Sequence, residues 1–123
     1  MAVAIDSSQQ AVEARAVAFT YGERRALAGI DFEVPAATIF GFLGPNGGGK
    51  TTLFRILSTL IPCQSGSIRV CGADLTAESA LVRLQIGVVF QSPSLDPQLS
   101  VMENLVHQGY LYGLSGRELR QRV

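Results

Sequence analysis

Residues 44–52 read GPNGGGKTT, between an apolar run, TIFGFL (38–43), and a stretch with helical periodicity, KTTLFRILSTL (50–60). As a device for stability this arrangement is unfavourable, because each glycine costs roughly 0.5–1 kcal/mol relative to alanine where the chain is ordered. A lysine at the head of a helix adds repulsion, since aligned peptide dipoles place about half a positive charge there. A polyphosphate bound at this point removes both objections. The glycines let main-chain N–H groups approach phosphate oxygens, the helix end supplies a favourable field, and Lys50 reaches the outer phosphates. Gly44, Gly49, Lys50 and Thr51 fit the pattern G-x-x-x-x-G-K-[ST], in which the hydroxyl after the lysine coordinates Mg²⁺.

Outward from this loop, the charge-free run 38–43 predicts a central strand covered on both faces. Leu53, Ile56, Leu57 and Leu60 recur at helical spacing and predict the buried stripe of a helix over 50–60 that stops at Pro62. Upstream, Val12–Phe19 and Leu27–Val34 predict two strands joined by a turn at Tyr21-Gly22-Glu23-Arg24, close enough in sequence to pair antiparallel. Downstream, Ser65-Gly66 predicts a turn and Ser67–Val70 a short strand. Thr76 is expected to cap a helix whose Leu81 and Leu84 face inward. Ile86–Phe90 predicts a second buried strand ending at Gln91. Ser100 with Glu103 forms a capping-box pattern ahead of a helix that ends near Gly113, and Ser115 with Glu118 forms another.

With 47% hydrophobic and 16% charged residues over 123 positions, the chain is expected to form at most one globular domain rather than a disordered segment. Ten basic and ten acidic side chains cancel, which argues against nucleic acid or anionic lipid as the main partner and for a small charged ligand held locally. Cys63 and Cys71 have neither a CxxC spacing nor a nearby histidine, so they are expected to be free thiols in a reducing compartment. No apolar stretch approaches the roughly 18 residues needed to span a bilayer. The opening MAVAIDSSQQAVEARAV lacks the basic and apolar regions of a signal peptide. A cytoplasmic protein is expected, with any membrane association made through a partner.

Three features together resemble the ATP-binding subunit of ABC transporters. The loop GPNGGGKTT is close to the family's GPNG-x-GK-[ST]-T. Tyr21 stands after the first strand, where the family carries an aromatic that stacks on adenine. Gln91 stands at the end of a buried strand, like the family's Q-loop glutamine. The flanking text, IGVVFQSPSLDPQLSVMENL and LYGLSGREL, is similar to the drug- and polysaccharide-exporting branch. The resemblance covers nearly the whole chain. It implies an α/β fold, a P-loop NTPase core with a mainly parallel sheet and flanking helices, preceded by an antiparallel β segment. The organisation expected is a frayed stretch over 1–10, the β segment and partial core over 11–98, and the start of a helical subdomain over 99–123.

The resemblance also implies the ligands. ATP would be held by Tyr21, Gly44, Asn46, Gly47, Gly48, Gly49, Lys50, Thr51 and Thr52, and Mg²⁺ by Thr51 and Gln91. Lys50 and Gln91 would take part in hydrolysis. The partners implied are a transmembrane permease and a second full-length ATP-binding subunit in a homodimer, on the inner face of the plasma membrane. Some positions depart from the family pattern. Ala37 replaces a turn glycine, Gly48 loosens the loop, and Leu114-Ser115-Gly116 is followed by Arg117 and Glu118 rather than the glycines of the LSGGQ signature, so it reads as a helix start. His107 reads as a helix-surface residue.

The family's Mg²⁺-binding aspartate, the following glutamate and the downstream histidine find no counterpart, because neither Asp74 nor Asp96 follows four apolar residues. The expectation is therefore the first part of a longer domain that binds Mg·ATP but hydrolyses it poorly. A non-catalytic nucleotide-binding module is the alternative. Another P-loop NTPase is a further one, although the [NT]-K-x-D motif of GTPases is missing.

Overall fold

A computed structural model describes residues 10–90 and 95–123. The chain divides into two compact units, the first ending at Val88 and the second beginning at Val89. The residue expected to act as the Q-loop glutamine, Gln91, lies outside the described residues, as do positions 1–9.

In the first unit β1 (Gln10–Tyr21) and β2 (Arg24–Pro35) form the expected antiparallel hairpin, with Tyr21 opposite Arg24. β3 (Ser65–Val70) and β4 (Ala73–Asp74) extend it to a sheet of order β2-β1-β3-β4. The imperfect alternation in β1 has a physical cause. Ala16 takes a left-handed φ of 49° and interrupts the ladders to both neighbours, and its N–H donates to Asp31 Oδ1 at 2.9 Å. An inserted residue reverses the parity of a strand. Ala14 and Val17 are consequently both fully buried, with Phe19, Ile68 and Val70 beside them in the core. The expected turn at Ser65-Gly66 is instead the start of β3, where Gly66 packs on the bulge. A β-carbon at Gly66 would stand 2.4 Å from the Arg15 carbonyl oxygen.

Every ladder among the described residues is antiparallel. The runs 38–43 and 86–90, expected as buried parallel strands, carry no strand, and Ile39, Leu43 and Val89 are almost fully exposed. A parallel strand requires ladder partners and covering helices, and these runs find no ladder partner among the described residues. The first run is nevertheless anchored. The Phe42 ring meets Phe32 of β2 edge-on at 5.0 Å and Phe54 at 5.7 Å, which fixes the chain's entry into the glycine loop.

α1 (Lys50–Leu57) buries Thr52, Leu53 and Ile56, and ends before Leu60, which is exposed. The stop comes from Thr59 rather than Pro62. Thr59 adopts a left-handed φ of 59°, its N–H bonds the Ile56 carbonyl at 2.9 Å, and the Leu60 N–H bonds the Arg55 carbonyl at 2.9 Å. This is the Schellman closure, made here by a β-branched residue where glycine is usual.

α2 (Ser79–Gln85) begins later than expected because Thr76 does not cap it. Asp74 Oδ1 accepts from the N–H groups of Thr76 and Ala77 at 2.9 Å each, so a side-chain turn competes with the helix. The helix then presents Val82 to the core, fully buried, and leaves Leu81 and Leu84 exposed, contrary to expectation. Cys63 and Cys71 are free thiols packed at the core margin. Burial pushes the Cys63 thiol pKa up, and its Sγ–H donates to the Ser65 carbonyl at 3.3 Å.

The second unit contains α3 (Val101–Leu111) and α4 (Gly116–Arg122). The capping box at α3 forms in both directions. The Glu103 N–H donates to Ser100 Oγ at 3.3 Å, and the Ser100 N–H donates to Glu103 Oε2 at 2.8 Å. The second box does not form. Ser115 makes no side-chain cap, and Glu118 pairs with Arg122 at 3.2 Å instead. α4 does begin at this point, with Arg117 and Glu118 in its first turn, and buries Leu119 against Gly109 of α3. His107 is on the exposed surface of α3.

The Ser100 hydroxyl and N–H hold the Glu103 carboxyl below the usual glutamate range. A carboxylate whose pKa falls on folding stabilises the fold above its unfolded value, about 4.3, and loses that contribution as pH falls through the lowered folded value. Helicity monitored by circular dichroism should therefore decline below about pH 4, with a smaller decline in Ser100→Ala, which lacks the carboxylate's side-chain partner. Identical acid titrations for the two proteins would contradict the assignment.

Candidate functional site

The hairpin, the glycine loop and the head of α1 enclose one cleft of about 250 Å³ in the first unit. Tyr21, Asn46, Gly47, Gly48, Gly49, Lys50, Thr51 and Thr52, eight of the positions expected to bind nucleotide, line it together. Gly44 lies at the loop's entrance. Its carbonyl accepts from Lys50 Nζ at 2.6 Å, and the Pro45 carbonyl accepts from the same ammonium at 2.7 Å.

Gly49 connects loop to helix. Its φ is +82°, and a β-carbon would stand 2.4 Å from the Ala26 carbonyl oxygen and 2.7 Å from Leu27 Cδ2. Only a residue without a side chain brings the loop this close to β2. Gly48 differs from it, having no positive φ; a β-carbon there would meet the Pro45 oxygen at 3.1 Å, so the position is tight rather than open. The Gly48 N–H closes the turn onto that same oxygen at 3.2 Å.

The leading N–H groups of α1 have no acceptor within the helix. α1 has no side-chain cap and no acidic residue in its first turn to take their place. The field at this end is positive and reinforced by side chains. Arg24, Lys50 and Arg55 line the cleft, and no aspartate or glutamate does. An anion fits such a donor set.

Tyr21 stands partly exposed at the hairpin end of the cleft, its ring edge-on to Phe19 at 4.8 Å. The Thr52 hydroxyl, and after it the Arg55 guanidinium, pull the Tyr21 phenol pKa below its usual value, while desolvation opposes them. Thr52 itself is buried. Arg24 and Arg55 were not among the residues expected from sequence. Signals for both exist. Arg55 is four residues beyond Thr51 and so shares its face of α1, and Arg24 is the ladder partner of Tyr21.

For a divalent cation the described residues offer no group of three or more histidine, cysteine or carboxylate side chains. Asp74 is committed to its turn, with its pKa lowered by the Ala77 and Thr76 N–H groups, and Asp96 accepts from the Gln98 N–H at 2.9 Å. Thr51 is the exposed hydroxyl residue of the cleft that matches the metal-binding position of the loop pattern. A metal at this site would depend on it and on the ligand's own oxygens.

The profile of the ABC transporter family matches residues 27–123. The chain is 46% identical over 103 residues to a daunorubicin resistance ATP-binding protein of Streptomyces coeruleorubidus, covering 84% of this chain and 33% of that protein. It is 38% identical over 115 residues to the Nod factor export ATP-binding protein I of Paraburkholderia xenovorans, covering 94% and 38%. The chain thus spans about a third of the length of these relatives. Among solved structures it resembles cbiO1 from Clostridium perfringens, part of the ABC transporter complex cbiONQ. The TM-score is 0.78 at 26% identity, over 94% of this chain and 48% of that one.

Proposed function

Because the chain belongs to the ABC transporter family, we propose that it is the nucleotide-gripping part of an ATP-binding subunit that works with a membrane permease. The carrying observation is the cleft. A glycine loop closes onto an uncapped, acid-free helix N-terminus, its lysine is poised on the loop carbonyls, and three side-chain cations face inward. The loop N–H groups and Lys50 would hold the β- and γ-phosphates, Thr51 would hold Mg²⁺, and Tyr21 would take the adenine on its ring face. A bound Mg²⁺ would offset charge on the phosphate oxygens. Gln91, at the expected Q-loop position, is proposed as a further oxygen ligand to that ion.

The partner side of the reading rests on the relatives. Proteins similar to this chain are named for resistance or export, and one belongs to a transporter complex. We therefore extend the proposal to an exporter, with two full-length ATP-binding subunits closing as a dimer on the inner face of the plasma membrane. No helix among the described residues is long and apolar enough to cross a membrane, so the permease would supply the span. A second reading, a nucleotide-binding module without turnover, is favoured by the engagement of Asp74 and Asp96 in backbone turns.

Equilibrium titration with a fluorescent ATP analogue tests the binding. Lys50→Ala is expected to weaken affinity roughly ten- to a hundredfold, the range for losing hydrogen bonds to a charged group. Unchanged affinity would remove the loop from the site. Steady-state phosphate release then separates the readings of activity, and turnover by this chain at rates of about 1 s⁻¹ or above would rule out the module without turnover.

A further inference from the structure

We propose that Arg24 sets how strongly this cleft discriminates nucleotides by their number of phosphates, acting as a second side-chain cation on the glycine loop. The proposal rests on the nucleotide-binding reading above. The β1–β2 register places Arg24 opposite Tyr21 at the hairpin end. From there its side chain crosses to the loop, with Nη2 3.5 Å from the point where a β-carbon on Gly47 would stand. Lys50 is held elsewhere, on the carbonyls of Gly44 and Pro45 at the loop's entrance. Two cations thus address two points of one loop.

The Arg24 charge is available to a ligand. No carboxylate lines the cleft, and the ion pairs among the described residues are Arg15 with Glu33 and Arg122 with Glu118. A guanidinium presents a planar fork of donors matched to phosphate oxygens, whereas an ammonium acts as a point charge. A longer phosphate tail places more charge within reach of both groups. Losing Arg24 should therefore weaken a triphosphate more than a monophosphate. The Arg55 guanidinium lies by Thr52 and the Tyr21 phenol rather than on the glycine loop, so its removal should weaken all adenine nucleotides alike.

The test is competition of ATP, ADP, AMP and inorganic tripolyphosphate against a fluorescent ATP analogue, on the whole 123-residue chain at two salt concentrations. Arg24→Gln is expected to weaken ATP and tripolyphosphate roughly tenfold, ADP about threefold and AMP less than about twofold, and to flatten the salt dependence. Arg24→Met, which keeps length without charge, is read on the same ratios and guards against a folding defect peculiar to glutamine. Losses equal for all nucleotides in the Arg24 variants, or no loss, overturn the proposal. Binding that is sensitive to Lys50→Ala but indifferent to Arg24 overturns it while the nucleotide reading stands. Absence of saturable binding by the unaltered chain overturns both.

Discussion

Gly49→Ala should lower the unfolding free energy by about 2–5 kcal/mol, combining a left-handed backbone with overpacking. The φ of +82° disfavours any β-carbon, and this one would meet the Ala26 oxygen at 2.4 Å. The nearest obstacle is no flexible side-chain tip, because the carbonyl belongs to β2, whose register is fixed by β1. The loop would have to lift from the sheet and carry the head of α1 with it. Gly48→Ala is the internal comparison. With no positive φ and a single close contact at 3.1 Å, it should cost under about 1 kcal/mol. Urea unfolding of the two variants decides the matter. A Gly49→Ala midpoint equal to that of Gly48→Ala would mean that the loop does not approach β2 as described.

Ile56→Ala should be comparably damaging, at about 2–5 kcal/mol, the range for truncating a buried isoleucine. Ile56 is fully buried and belongs to the cluster that joins α1 to Val17, Phe19 and Leu27 of the hairpin. The same deletion four residues later has a different expected result. Leu60 is 58% exposed, beyond the Schellman closure at Thr59, so Leu60→Ala should fall within about 0.5 kcal/mol of the unaltered protein. A large loss at Leu60 would show that the helix runs on to Pro62 and buries its whole stripe.

That contrast marks what periodicity conveys. Leu53, Ile56, Leu57 and Leu60 share a helical phase, yet phase does not reveal where the backbone leaves the helix. Thr59 in the left-handed region is a choice that residue identity argues against, and the close of the turn made it. In the same way the pattern at Thr76 is a good cap in isolation, but the neighbouring Asp74 first draws the N–H groups of Thr76 and Ala77 into a turn of its own.

The apolar runs 38–43 and 86–90 were misread for a different reason. Composition reports that a segment suits a ladder and does not report whether a ladder partner exists. The legible parts share one property, which is that their bonds close locally. The hairpin turn, the glycine loop and the Ser100–Glu103 box are each specified within a few residues. Arg24 escaped notice because its place in the cleft arises from cross-strand register, a relation that residue spacing along one strand does not display.

The resting bonds of Lys50 have a consequence for the tempo of exchange. With its ammonium already seated on the Gly44 and Pro45 oxygens, the loop is closed before any ligand arrives, and on the proposed reading an anion would meet a preformed seat with Lys50 and Arg24 as its swinging arms. Little backbone order would then remain to be created at encounter, so the entropic cost of association would fall chiefly on those two side chains. On departure Lys50 would drop back to its own oxygens, leaving the seat ready for the next visitor.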